Sequence, residues 1–166
     1  DQIDVHELNA DSRAIFDTNT EQKIVVLGDS WVAGDLVSTP EREPITQQLA
    51  IELPYASIIN AGFGGDTATA LLNRFDADVI PHNPDTVIIV VGTNDAYNPP
   101  SGIFFPNAVN VFTKQVMQLI GKCLQIGARP IVFGVAALAE ADGAYTAYEL
   151  NDRARQYSQY FYKDMG

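Results

Sequence analysis

The segment KIVVLGDSWVAG, residues 23–34, decides the fold. Its four apolar residues at 24–27 form an unbroken run that ends at Gly28, which is typical of a short strand buried on both faces. Gly28-Asp29-Ser30 predicts a sharp turn at the carboxyl end of that strand, where ligands bind in open parallel α/β sheets. A serine there either caps the next helix or presents its hydroxyl beside the backbone N–H groups of the first helical turn.

Strand and helix patterns alternate after this segment. Further strands are predicted at 56–61, 86–91 and 130–135, and helices are predicted to begin at Pro44 and Ala68 and to cover 107–126 and 145–165. The stretch between Trp31 and Pro44 is expected to be a loop or a broken helix, because two prolines interrupt it. The alternation indicates an α/β fold with a parallel sheet and helices on both faces, in which the β-branched run at 86–91 is central.

Composition limits the classes of function. The chain has 166 residues, of which 46% are hydrophobic and 19% charged, as expected for one soluble globular domain. A net charge of -11 with only 10 Lys and Arg residues argues against nucleic acid or an anionic membrane surface as a partner. Cys123 is the single cysteine, so an intrachain disulfide or a cysteine metal site is excluded, and its apolar helical face predicts a core position.

Three turns carry the candidate chemistry. They are Gly28-Asp29-Ser30, Gly64-Gly65-Asp66 and Gly92-Thr93-Asn94-Asp95, and each follows a predicted strand. Because the carboxyl ends of parallel strands face one crevice, we expect the three turns to meet. A serine nucleophile, a glycine N–H and an amide side chain in one crevice suit acyl transfer, since the last two can donate to an oxyanion.

The sequence resembles the SGNH (GDSL-type) hydrolases in three blocks. VVLGDSWVAG carries Ser30, INAGFGGDTA carries Gly65 and VVGTNDAY carries Asn94. The resemblance covers residues 23–166 and implies a flavodoxin-like three-layer sandwich and a serine esterase, lipase, thioesterase or carbohydrate deacetylase that needs no metal or other cofactor. It implies that Ser30 is the nucleophile and that the oxyanion donors are its own N–H, the Gly65 N–H and the Asn94 amide.

Neighbouring residues are expected to contact the substrate, namely Asp29, Trp31, Gly64, Asp95 and Tyr97. For the aspartates in the three turns, a turn or capping role is the favoured interpretation. The expected substrate is a small acyl ester, with an O-acetyl carbohydrate or a short-chain ester favoured over a long lipid.

The fourth block of the family, an Asp-x-x-His motif that supplies the base, does not occur in this sequence. The two histidines are His6, in the polar extension or linker predicted at 1–22, and His82, in a turn that should lie at the opposite end of the sheet from Ser30. We therefore expect the domain at 23–166 to lack its last strand and helix. The catalytic His and Asp are expected beyond residue 166, on a C-terminal companion segment that is cleaved off, carried as another chain or left out of this sequence. The start at Asp1, without Met or a signal pattern, leaves the location open, with a secreted or periplasmic one favoured.

Two other classes of protein compete with an esterase. One is a non-catalytic binding or structural module of a larger assembly, which the missing histidine motif would fit. The other is a flavin-binding flavodoxin-like protein, which is disfavoured because its phosphate loop needs several hydroxyl residues after the first strand and WVAGD offers none.

Overall fold

Four parallel strands form one sheet in the part of the chain that the structure describes. The structure is a computed structural model, and it describes residues 21–34, 44–97 and 105–133. The strands are β1 (Gln22–Gly28), β2 (Ala56–Gly62), β3 (Thr86–Val90) and β4 (Arg129–Phe133), in the order β2-β1-β3-β4. This is the strand order of flavodoxin-like folds, and it places β3 between two strands, as its β-branched sequence predicts.

Helices connect the strands. They are α1 (Ser30–Ala33), α2 (Ile45–Glu52), α3 (Ala68–Asp78), α4 (Thr93–Tyr97) and α5 (Phe105–Gln125), with a 3₁₀ turn at Ile80–His82. The stretch from Trp31, predicted as a loop or a broken helix, begins as a short helix that the Asp29 side chain caps. Pro44 precedes α2 as its N-cap and is not its first residue, since its ψ of 147° is extended.

The sheet is buried on both faces, which confirms the predicted α/β architecture. Alternate residues of β1 and β3 point to opposite sides. On one side Val25, Leu27, Val87 and Ile89 pack with α3 and α5, including Phe75, Leu119 and Cys123. On the other side Ile24, Val26 and Ile88 pack with Val32 of α1 and with Ile45 and Leu49 of α2. Cys123 is fully buried, as expected, and burial raises the pKa of its thiol to about 11.

The longest helix follows its sequence pattern closely. Predicted at 107–126, it covers Phe105–Gln125 and ends shortly before Gly127. Within the described ranges no helix has the length and apolar character needed to cross a membrane. The extension expected at 1–22, apart from its last two residues, and the helix expected at 145–165 lie outside the described residues.

Helix α1 lies directly on the end of β2, and glycine permits this approach. A Cβ atom at Gly62 would lie 2.2 Å from the backbone nitrogen of Ala33 and 2.6 Å from the carbonyl carbon of Val32. Asn60, two residues earlier on β2, donates from Nδ2 to the Val32 carbonyl oxygen at 2.8 Å. The short helix that begins at Ser30 is therefore fixed against the sheet at a separation that leaves no room for a side chain at position 62.

We predict that Gly62→Ala destabilises the fold, because a backbone atom of α1 must move to admit the new methyl group. The free energy of unfolding should fall by about 1–3 kcal/mol in urea titrations. Gly121→Ala is the matched control, since nothing lies within 4 Å of its Cβ position near the C-terminal end of α5. The control should stabilise the protein by up to about 1 kcal/mol through helix propensity. Equal effects of the two substitutions would contradict the close approach.

Candidate active site

Three strands end level with one another, and this sets the position of the candidate site. Gly28, the last residue of β1, pairs with Gly62 on β2 and with Val90 on β3. Because all three strands are parallel, the turns that follow them start at the same edge of the sheet. The turns that carry Ser30, Gly65 and Asn94 are thus brought to one edge, as the sequence predicted.

Ser30 is the first residue of α1 and is half-buried. Asp29 is the N-cap of that helix, and its Oδ1 accepts a hydrogen bond from the Trp31 N–H at 3.0 Å. The Asp29 carboxyl is fully buried, and its Oδ2 has no hydrogen-bond partner within the described part of the chain. Burial therefore raises the pKa of Asp29, against the opposing effect of its backbone hydrogen bonds.

The second turn is closed by its own backbone and joined to the first. The Asp66 N–H donates to the Phe63 carbonyl at 3.3 Å, and the Phe63 N–H donates to the Gly28 carbonyl at 2.9 Å. Gly65 has a φ of 84°, which suits the third position of a type II turn and favours glycine. Since Gly65 is exposed, its backbone is accessible at the rim of the site.

Asn94 binds the second turn directly. Its Nδ2 donates to the Asp66 carbonyl oxygen at 2.8 Å. A primary amide carries two N–H donors on this nitrogen, so one donor fixes the side chain and the other keeps a defined direction. Asn94 is half-buried, which leaves part of the residue open to a ligand.

Asp95 connects the third turn to helix α3. Both carboxylate oxygens lie 3.1 Å from the N–H of Ala68, the first residue of α3. Thr67 is the N-cap of this helix and accepts from the Ala70 N–H at 3.4 Å, so α3 begins at Ala68, as the sequence predicted. Burial is the main cause that raises the pKa of Asp95 to about 6, while the Ala68 hydrogen bond lowers it and the charge of Asp29 raises it further.

The residues expected to bind substrate differ in how accessible they are. Asp29 and Asp95 are buried and hold helix termini, which is the capping role favoured from the sequence, and so neither carboxyl lies open to a substrate. Trp31, 39% exposed, and the half-buried Gly64 lie at the site edge. Tyr97 is the last residue of α4, and its side chain is outside what the structure describes. The catalytic and binding roles themselves stay predictions.

Sequence analysis missed two residues of this region. Phe63 begins the second turn and is 67% exposed at the same edge as Trp31. Arg74, on α3, donates to both the first and the second turn. A signal for Arg74 was available, because long side chains on a helix point toward its N-terminus, where the turns lie.

His82 lies away from this edge. It is exposed in the 3₁₀ turn that precedes β3, at the amino end of the strand, which confirms the expected location. His6 is outside the described residues. The described residues include no group of three or more His, Cys, Asp and Glu side chains arranged to hold a metal ion.

The sequence model of the GDSL-like lipase/acylhydrolase family matches residues 26–163. The chain therefore belongs to this family. A curated relative, the uncharacterized lipoprotein YqeF of Bacillus subtilis (strain 168), is 28% identical over 129 residues. That match covers 75% of this chain and 52% of the relative, so the chain spans about half the length of the curated relative it matches.

Several solved structures share the fold of this chain. An acetylxylan esterase from Geobacillus stearothermophilus, solved as a catalytic mutant, is 18% identical with a TM-score of 0.59, over 87% of this chain and 71% of that one. The acetyl xylan esterase AlAXEase is 22% identical with a TM-score of 0.57, over 84% and 74%. A GDSL-like lipase from Bacteroides thetaiotaomicron is 18% identical with a TM-score of 0.56, over 94% and 74%. The likeness confirms the predicted fold class.

The raised pKa of Asp95 predicts a pH-dependent stability. The carboxyl ionises near 3.8 in the unfolded chain and near 6 in the folded one, so the folded state binds the proton more tightly. The contribution of Asp95 to the free energy of unfolding therefore falls as the pH rises through this window, by at most about 3 kcal/mol. In Asp95→Asn the side-chain oxygen still accepts from the Ala68 N–H, but the amide does not ionise. The variant therefore does not lose this stability as the pH rises.

Urea unfolding of both proteins between pH 4 and pH 7 measures the effect. The variant should gain stability relative to the parent protein as the pH rises. A difference between the two that stays constant over this range would contradict a raised pKa at Asp95.

Proposed function

We propose that this protein is a serine esterase that hydrolyses small acyl esters, with an O-acetyl carbohydrate as the favoured substrate. The Ser30 hydroxyl attacks the ester carbonyl carbon, a histidine takes its proton, and the alcohol leaves as the acyl-enzyme forms. Water then attacks the acyl-enzyme and releases the acid. Membership of the GDSL-like lipase/acylhydrolase family supports an ester hydrolase.

The observation that carries the proposal is the contact between the second and third turns. Asn94 Nδ2 donates to the Asp66 carbonyl oxygen at 2.8 Å, next to Gly65 in the chain. This contact holds one amide N–H of Asn94 near the Gly65 backbone, at the edge where Ser30 begins α1. Donors fixed in advance of the reaction stabilise a developing oxyanion without reorganisation, which is usually the largest single contribution to acyl transfer.

Exposed aromatic rings favour a carbohydrate ester. Trp31 follows the proposed nucleophile and is 39% exposed, and Phe63 begins the second turn and is 67% exposed. Large apolar rings that stay open to solvent beside a site suit the flat, partly apolar face of a sugar. Two of the solved structures of similar fold are of acetylxylan esterases, which is consistent with this substrate class.

The proposed base is a histidine in an Asp-x-x-His segment outside these 166 residues. The Geobacillus esterase is represented by catalytic mutants in which a serine, an aspartate or a histidine is replaced by alanine. In that protein the aspartate and the histidine are three positions apart. This chain covers 71% of the length of that esterase.

Substitution of Ser30 and Asn94 tests the proposed roles. In the complete natural polypeptide, Ser30→Ala should abolish hydrolysis of p-nitrophenyl acetate and acetate release from acetylated xylan. Asn94→Ala should lower kcat about 100-fold or more with a smaller change in KM, because its N–H acts on the transition state. Thr69→Ala, at an exposed position on α3, is a control that should leave both parameters unchanged. Full activity of the Ser30→Ala protein would rule out the proposed mechanism.

A fluorophosphonate probe separates catalysis from the alternative of a non-catalytic module. The probe labels a serine only where a base activates it. Labelling of the complete polypeptide that disappears in Ser30→Ala supports the esterase. A complete polypeptide that has no Asp-x-x-His segment and takes up no probe would instead support a module that binds acetylated carbohydrate without hydrolysing it.

A further inference from the structure

Arg74 makes three contacts with three different segments of the chain. Its Nε donates to Asp66 Oδ2 at 2.6 Å, its Nη2 to the Gly28 carbonyl oxygen at 3.0 Å and its Nη1 to Asp78 Oδ2 at 2.8 Å. The side chain is 21% exposed, so these bonds are formed in a largely desolvated position. A planar guanidinium with donors in fixed directions can hold three acceptors at once, which an ammonium group cannot do in the same geometry.

Two of these three acceptors belong to the candidate site. The Gly28 carbonyl immediately precedes Asp29 and Ser30, and it also accepts the Phe63 N–H at 2.9 Å. Asp66 ends the Gly64-Gly65 turn, and its own carbonyl oxygen accepts the Asn94 amide at 2.8 Å. A single side chain thus connects the end of β1 to the residue on which the Asn94 side chain rests.

The Asp66 carboxylate is not needed to start helix α3. Thr67 already supplies the N-cap hydrogen bond, and Asp95 accepts from the first N–H of the helix. Asp78, four residues after Arg74 and 40% exposed, would satisfy an ordinary ion pair on the helix surface. The additional bonds from Arg74 to Asp66 and Gly28 therefore act on the relative position of the first two turns.

From this network we propose that Arg74 is a positioning residue for the oxyanion donors. The inference rests on the proposed esterase function and extends it. Arg74 does not contact the substrate. It fixes Asp66 and Gly28 relative to each other, and Asp66 in turn fixes the direction of the Asn94 N–H. Displacement of such donors by about 1 Å is enough to cost on the order of 100-fold in rate.

Arg74→Lys is the primary test, since it keeps the positive charge and loses the planar arrangement of donors. In the complete polypeptide, kcat for p-nitrophenyl acetate should fall by about 10- to 100-fold while KM changes by less than about threefold. Asp78→Asn is the matched control, because it removes only the outer partner of Arg74. It should change kcat by less than about twofold. Equal kcat values for the two variants would overturn the proposal.

A double-mutant cycle with Asn94 distinguishes positioning from general destabilisation. If Arg74 acts through Asn94, then Arg74→Lys should lower kcat by no more than about twofold in an Asn94→Ala background. Losses that multiply independently would show that Arg74 does not act through Asn94. If Arg74→Lys fails to fold by circular dichroism, Asp66→Asn tests the same link from the other partner and should lower kcat with the same dependence on Asn94.

The Ser30→Ala variant keeps the two hypotheses separate. Loss of activity in Ser30→Ala together with an unaffected Arg74→Lys protein would overturn the role of Arg74 alone. Retained activity in Ser30→Ala would overturn the proposed function, and the role of Arg74 with it.

Discussion

The parallel register of β1 with β2 and β3 is the constraint on which the site depends. Gly28 faces both Gly62 and Val90, so three turns begin level at one edge. A slip of one residue would move a turn by about 3.3 Å, which exceeds the length of the 2.9 Å bond from Phe63 to Gly28. The contact of Gly62 with α1 imposes the same register from the side of the helix. The relative position of the three turns thus follows from backbone pairing in the sheet and from the packing of α1 on β2.

Each of the three turns contains an aspartate, and these carboxylates oppose the binding of a further negative charge nearby. Asp29 and Asp95 are buried, and burial is the main cause that raises the pKa of each. The charge of Asp66 raises the pKa of Asp29 further, and the charge of Asp29 does the same for Asp95. An oxyanion beside these groups would be repelled, so its stabilisation depends on N–H donors in direct contact with it. Asp66 differs, because the guanidinium of Arg74 lies 2.6 Å from it. The arginine therefore offsets one of the charges nearest to the Asn94 donor.

Local sequence patterns predicted the fold and the position of the turns. They did not predict the contacts between residues that are far apart in the chain. The apolar run of β1 and the regularly spaced apolar residues of α5 are each visible within the sequence of the element itself. The predicted bounds of both elements therefore agree with the structure to within two residues. A helix beginning near Ser30 was predicted, but the sequence did not decide between Ser30 and Asp29 as its cap. The hydrogen bond from Trp31 to Asp29 and the packing of Val32 cannot be read from a four-residue segment. The helix position of Arg74 indicated that its side chain points toward the turns, but the bond to Gly28 could not be predicted. It joins residues 46 positions apart and ends on a backbone oxygen, which any residue would offer.

The geometry of the sheet rules out His82 as the base for Ser30 in the proposed reaction. β3 has five residues and so spans about 16 Å, and His82 lies beyond its amino end, whereas a base must come within about 3 Å of the Ser30 hydroxyl. A fifth strand beside β4 would lie three strand spacings, about 14 Å, from β1. A histidine that follows such a strand reaches Ser30 only on a loop that crosses the ends of β4 and β3. The proposed oxyanion donors, in contrast, are held by hydrogen bonds between residues from Gly28 to Asp95.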